Sequence, residues 1–172
     1  PEARKCLRDE TKDKVDKGFA RVLKWKDIKH ALPPNLKLSP VAMIPHKSRA
    51  FHCILDLSFN LKLKDKHQHT ASVNQTTEKL APAAAMAQLG ITLRRIIHTM
   101  EKARQKGTSL LFSKLDIKDG FWRLMVSDHD AWNFCYMIPP ASPGAPLDEV
   151  DIVIPNCLQM GWCESPPFFC AA

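Results

Sequence analysis

The sequence predicts an α+β fold in which a small, mainly antiparallel sheet is backed by helices, and three observations carry that expectation. Between residues 86 and 103 the apolar side chains fall at 86, 89, 93, 96, 97, 100 and 103, steps of three and four that trace one face of a long helix. Short apolar runs at 41–44, 51–57, 110–117, 132–138 and 151–155 have the length of strands and are separated by Pro, Gly and charged residues. The composition, 45% apolar and 25% charged over 172 residues, is that of a globular chain able to bury a core.

Taken in order, residues 1–30 are rich in Lys and Asp/Glu, with apolar points at Val15, Phe19, Val22, Leu23 and Ile28. They predict one or two amphipathic pieces interrupted at Gly18. Pro33-Pro34 breaks the segment, and Pro40 and Pro45 bracket an extended stretch from Val41 to Ile44. The basic turn Lys47-Ser48-Arg49 then precedes an apolar run from Phe51 to Leu57, which predicts a β-hairpin with a cationic tip. Residues 60–78 read as a polar connection. The helix over 86–106 carries Lys102, Arg104 and Lys106 at the negative end of its dipole and stops at Gly107. Its Leu93/Ile97/Met100 face is expected against the sheet.

Residues 110–117 read as a buried strand, Asp119-Gly120 as a turn, and 121–126 as a short helix or extended piece. Residues 132–138 and 151–155 read as further strands, with an exposed Pro-, Ser- and Gly-containing loop at 139–146. Ser165-Pro166 reads as a helix start, with Ser at the N-cap and Pro at the first helical position. Neither internal repeats nor low-complexity tracts occur.

The net charge of +7 is unevenly placed: residues 1–69 hold sixteen Lys/Arg against eight Asp/Glu, and residues 70–172 hold nine against ten. A basic lobe attracts a polyanion, nucleic acid foremost, although a solvated basic surface gives the same count. Six Cys lie outside any C-x-x-C pair and read mostly as buried thiols of a reducing compartment. His67 and His69 flank Gln68 without a nearby Cys cluster, so no zinc site is expected. No run of eighteen apolar residues occurs, so no membrane partner is expected either.

The chemistry centres on Asp116. A carboxylate closing an apolar strand needs a donor, a base or a cation, and for a lone Asp a capped or ion-paired role is the ordinary answer. Here Asp-Ile-Lys-Asp-Gly-Phe places a second acid and a glycine turn directly after it. Backbone N–H groups in such a turn can cradle phosphate oxygens, and a carboxylate beside them suits Mg²⁺-dependent phosphoryl transfer.

Ser-Lys-Leu-Asp-Ile-Lys-Asp-Gly-Phe-Trp-Arg (113–123) resembles the first catalytic motif of reverse transcriptases from LTR-retrotransposon-like elements. Leu-Gln-Met-Gly-Trp-Cys-Glu-Ser-Pro-Pro-Phe-Phe (158–169) resembles their second conserved block, and Pro45 to Asp56 is similar to their fingers hairpin. The three stand in the family's order and span about residues 39–172. The resemblance implies the fingers and partial palm of a right-hand polymerase: a basic amphipathic extension at 1–38, a fingers-like region at 39–107 and a partial palm at 108–172.

By the same resemblance Asp116 is a metal ligand, with the Ile117 carbonyl as a further oxygen, for Mg²⁺ (two ions in an intact enzyme). Asp119 and Gly120 offer N–H groups to the incoming triphosphate. Phe121 takes the steric-gate position, where a bulky ring clashes with a 2′-OH and selects deoxynucleotides. Plain core packing is the rival role for that ring. Lys47 binds the triphosphate as a flexible point charge and Arg49 assists. Met160, Gly161, Trp162, Ser165 and Pro166 shape the floor under nucleotide and template base.

Two departures stand out. His52 replaces an Arg that contacts phosphate in many relatives, and Met160 stands where others carry Gln or an aromatic. The family's Tyr-x-Asp-Asp block, expected after the Ser165 helix, is not among these residues. With Pro1 rather than Met at the start, the expectation is a fragment of an RNA-directed DNA polymerase, inactive alone and truncated before its remaining carboxylates. Its partners would be an RNA/DNA template-primer and deoxynucleoside triphosphates, with other polyprotein modules attached, in an intracellular setting. The alternative is a non-catalytic nucleic-acid-binding remnant of a decayed element.

Overall fold

The centre of the molecule is a three-stranded antiparallel sheet in the order β1-β7-β6. The computed structural model describes residues 2–47, 49–62, 69–140, 142 and 144–172, and for Arg49, Ala50, Leu61, Lys62, His69 and Leu89 the backbone alone. In chain order the elements are α1 (Glu2–Asp16), β1 (Ala20–Lys24), α2 (Trp25–Ile28), β2 (Val41–His46), β3 (Arg49–Leu55), β4 (Leu61–Lys62), β5 (His69–Thr70) and α3 (Val73–Thr76). They continue with α4 (Ala83–Gln105), α5 (Asp128–Ala131), β6 (Tyr136–Ile138), β7 (Asp151–Pro155) and α6 (Ser165–Ala171). The fold is thus mixed, small antiparallel sheets with helices, as the class expectation has it.

Strand β7 is central because both its faces are apolar. Ile152 and Ile154 point to one side, where they pack with Ile28, Ala131 and Cys135. Val153 points to the other, with Leu7 of α1, Ala20, Tyr136 and Ile138. The β2–β3 hairpin closes over that second face through Val41, Met43, Cys53 and Leu55. A third cluster, Leu57, Val73 and Phe134, joins the hairpin's base to α3.

The hairpin, the turn at 118–120, the helix α4 and the strand at 151–155 follow the sequence expectation. Gly18 and Gly107 both take positive φ, 74° and 63°, and end α1 and α4. Within 1–30, however, Ala20–Lys24 is a strand paired with β7 in register Val22↔Val153. The connection at 60–78 holds β4, β5 and a capping box in which Ser72 and Gln75 bond reciprocally at the start of α3. The 132–138 run splits into a 3₁₀ turn at Trp132–Phe134 and the short strand β6.

Three expectations are corrected. Residues 110–117 form no helix or strand and join no sheet among the described residues, and they are not buried: Leu111 is 95% exposed and Leu115 91%. The Leu93/Ile97/Met100 face of α4 does not lie on a sheet either, with Leu93 67% exposed. Apolar periodicity records which face prefers burial, not whether these 172 residues hold its cover. At α6 the N-cap position belongs to Glu164. Ser165 is already helical, its hydroxyl turned inward to donate to the Gln159 carbonyl at 2.7 Å, and Pro166 follows it.

The uneven charge also resolves differently from a free basic lobe. Arg8, Lys17, Arg21, Lys24, Lys26 and Lys29 pair with Asp151, Asp119, Asp128, Asp151, Glu149 and Asp148 respectively. Six of the sixteen early cations are therefore matched by later acids.

Candidate functional site

The turn after Asp116 is built by short-range forces. Asp119 takes φ 57°, the left-handed region that Asp tolerates better than most residues. Gly120 follows at φ −48°, ψ −55°. A left-handed residue followed by a right-handed one gathers successive N–H groups on one side, the concavity that binds anions. Arg123 secures the turn: its Nε donates to the Lys118 carbonyl at 3.0 Å and its backbone N–H to the Gly120 carbonyl at 3.2 Å. Just past α1, Lys17 stands 3.7 Å from the Asp119 carboxylate, and from within α1 Lys14 lies over the Trp122 ring at 4.3 Å.

Asp116 itself is exposed, and among the described residues no cation or hydrogen-bond donor engages its carboxylate. Phe121 is half-buried and meets Phe169 of α6 edge to face, centroids 5.3 Å apart. Gly120 allows this approach, since a Cβ there would stand 3.1 Å from the Phe169 ring. The Leu124 carbonyl accepts from the Leu158 amide at 2.8 Å and the Val126 amide donates to the Asn156 carbonyl at 2.9 Å. The two motif blocks therefore meet through their rings, and the residues just after the first block are tied by backbone to 156–158.

The turn at Met160–Gly161 is fixed from below. Gly161 takes φ 95°, and a Cβ on it would stand 3.5 Å from the Leu55 carbonyl at the hairpin's base. Asn74 grips the turn with both ends of its amide: Nδ2 donates to the Gly161 carbonyl at 2.9 Å, and Oδ1 accepts from the Cys163 amide at 2.9 Å. Trp162 donates through Nε1 to the Thr77 hydroxyl at 2.8 Å and lies between Phe134 and Phe168. Ser165 is fully buried, Pro166 is exposed on α6, and Met160 is 61% exposed beside Gly161. Buried Glu164 accepts from the amides of Leu80 and Ala81, both at 3.0 Å, and so ties the approach to α4 onto this loop.

The structure thus brings Gly120 and Phe121 onto α6, and Gly161 and Trp162 onto the hairpin base and the end of α3, while Ser165 bonds within its own loop to Gln159. Lys47 is exposed at the hairpin tip and touches none of these groups, nor does Asp116 touch any of them. The Arg49 side chain, Ser48, His67 and the His69 side chain lie outside the described residues. His52 carries a buried Nδ1 without a hydrogen-bond partner. Asn74, Gln159, Glu164 and Phe169 were given no role in the sequence reading. The S-x-x-Q capping signature at 72–75 was the available signal for Asn74.

Of the six thiols, Cys135 and Cys157 are buried, Cys6 and Cys53 half-buried, and Cys163 and Cys170 exposed; all are free. Burial pushes the Cys135 thiol up to about 12 and the Cys157 thiol up to about 11. The buried Tyr136 phenol, bonded to Thr11, rises to about 12 for the same reason.

Among the described residues no group of three or more His, Cys, Asp or Glu could hold a metal ion. A lone exposed carboxylate beside an anion-binding turn still fits Mg²⁺, which keeps several waters and takes one or two carboxylates with substrate phosphates. No helix among the described residues is long and apolar enough to cross a membrane. Compared with known families and with curated proteins, the chain matches no family model and no curated protein.

Proposed function

We propose that the chain is part of a reverse transcriptase, transferring deoxynucleotides to a primer 3′-OH under the direction of a template. The observation that carries this reading is the exposed, unpaired Asp116 three residues ahead of a left-handed turn whose next residue, Gly120, is packed against the second motif block. An ordinary structural Asp would be capped or paired, and among the described residues nothing caps or pairs this one.

On this reading Asp116 and the Ile117 carbonyl would hold Mg²⁺, and the amides of Asp119 and Gly120 would receive the phosphates. The ion would neutralise charge developing on the transferred phosphoryl group. Phe121, braced by Phe169, would lie under the sugar, and Lys47 would close from the hairpin tip. Met160 and Gly161 would floor the base, their turn held by Asn74. The reaction would then owe most to positioning, for which a braced gate and a clamped floor are suited.

The experiment is primer extension on an RNA template by a longer chain carrying a Tyr-x-Asp-Asp block after α6, with Asp116→Ala beside the parent. The reading expects extension by the parent and a loss of at least about 100-fold in the variant. Equal extension would remove Asp116 from the metal site and the polymerase proposal with it.

A further inference from the structure

On the other side of the 158–162 loop lies a cleft of about 610 Å³, a size that suits a small organic ligand. Its apolar lining includes Val73, Phe134, Leu158, Trp162 and Phe168. Three of these are aromatic and in mutual contact: Trp162 meets Phe134 edge to face at 5.3 Å and stacks on Phe168 at 5.9 Å. The charged residues lining the cleft are Glu78 and Asp130, both exposed carboxylates, with no Lys or Arg among the described lining. Lys37 reaches the Thr76 hydroxyl at the rim but does not line the cleft. In a chain of net charge +7 this is a local reversal of sign.

We infer that this cleft binds a low-molecular-weight organic cation with an aromatic or aliphatic body. The apolar body would displace water from the Val73–Leu158 side. A protonated amine at its end would be drawn by two carboxylates and by the negative faces of the rings. A nucleotide or other anion would meet like charge on the lining, with Lys37 at the rim already engaged by Thr76. Asp130 is already engaged at both oxygens, accepting from Ser127 at 2.7 Å and meeting the His129 ring at 3.3 Å, so Glu78 is the carboxylate to which the amine would turn first. The inference concerns a different surface from the phosphate-binding turn and does not need the polymerase reading.

The test uses three isosteric probes on the 172-residue chain at pH 7: 2-naphthylethylamine, 2-naphthylethanol and 2-naphthylacetate, each followed by two-dimensional ¹H–¹⁵N NMR. Expected is saturable movement of the Trp162 indole N–H and of the amides of Thr77 and Glu78 with the amine, about tenfold tighter than with the acetate. Glu78→Gln, at an exposed position, should weaken the amine by about threefold, and added salt should weaken it further in the parent. Equal binding of the three probes, no saturable movement at Trp162, or movement confined to other surfaces would overturn the inference. Should Glu78→Gln not fold, the salt titration of the parent decides: an affinity unchanged by salt contradicts it.

Discussion

Phe121 and Phe169 meet edge to face at 5.3 Å with their planes at 78°, joining the turn after Asp116 to α6, in which the second motif block ends. Gly120 lies close beside the contact: a methyl group there would come within 3.1 Å of the Phe169 ring, which would have to yield by a few tenths of an ångström. Removing the ring by Phe169→Ala should cost about 1–2 kcal/mol, since both partners are only half-buried. Gly120→Ala should cost less, and its cost should shrink in the Phe169→Ala background. Urea unfolding of the four proteins in this cycle measures the coupling, expected at about 0.5–1 kcal/mol. Strictly additive costs would mean that the two residues do not share the space described.

Asn74 should matter more than its place in a polar connection implies. Asn74→Ala leaves the Gly161 carbonyl and the Cys163 amide without their partner, at about 2 kcal/mol in stability. Hydrogen exchange at the Cys163 amide should quicken by more than global destabilisation explains. Unchanged local exchange would place the control of that loop elsewhere.

The thiols should fall into classes by exposure. Cys163 and Cys170 should react with an aromatic disulfide reagent first, while Cys135 and Cys157 should wait for unfolding. Fast reaction of five or more thiols in the folded state would contradict the packing around β6 and β7, since it must include Cys135 or Cys157.

Alkali should destabilise the fold. Cys135 and Cys157 rise from 9.0 to about 12 and about 11, and Tyr136 rises from 10.0 to about 12, each because burial penalises the charged form. Each folded-state value is raised, so the neutral form is favoured in the fold and the unfolded chain loses its protons first. The contribution is therefore complete below pH 9 and is lost as pH climbs from about 9 toward 12. Urea midpoints measured across that range should fall continuously. A flat profile to pH 11 would mean that these groups are open to water in the fold.

What the sequence made legible was local. The α4 repeat, the Gly107 stop, the cationic hairpin and the Asp119-Gly120 turn each carry their cause within a few residues, and each is found where its pattern places it. The errors were of covering and pairing. Leu111 and Leu115 are apolar enough for a core strand, but they stand open because no strand among the described residues takes their edge. Ala20–Lys24 reads as part of a charged amphipathic stretch, and only its match to β7 makes it a strand. The same is true of charge: the lysines between 17 and 29 look like a polyanion surface until Asp119, Asp128, Asp148, Glu149 and Asp151 are seen beside them. Asn74 was hidden for a related reason, since its partners lie 87 and 89 residues away.

The central claim, that Asp116 and the turn behind it take a metal-bound triphosphate, is open to a direct measurement on the chain itself. Mn²⁺ with dTTP, titrated into ¹⁵N-labelled protein, broadens amides near the ion. The account predicts selective loss of the Asp116, Ile117, Asp119 and Gly120 signals, abolished in Asp116→Ala, with the Trp162 indole signal retained. Broadening that spares residues 116–120, or that survives Asp116→Ala unchanged, would contradict it.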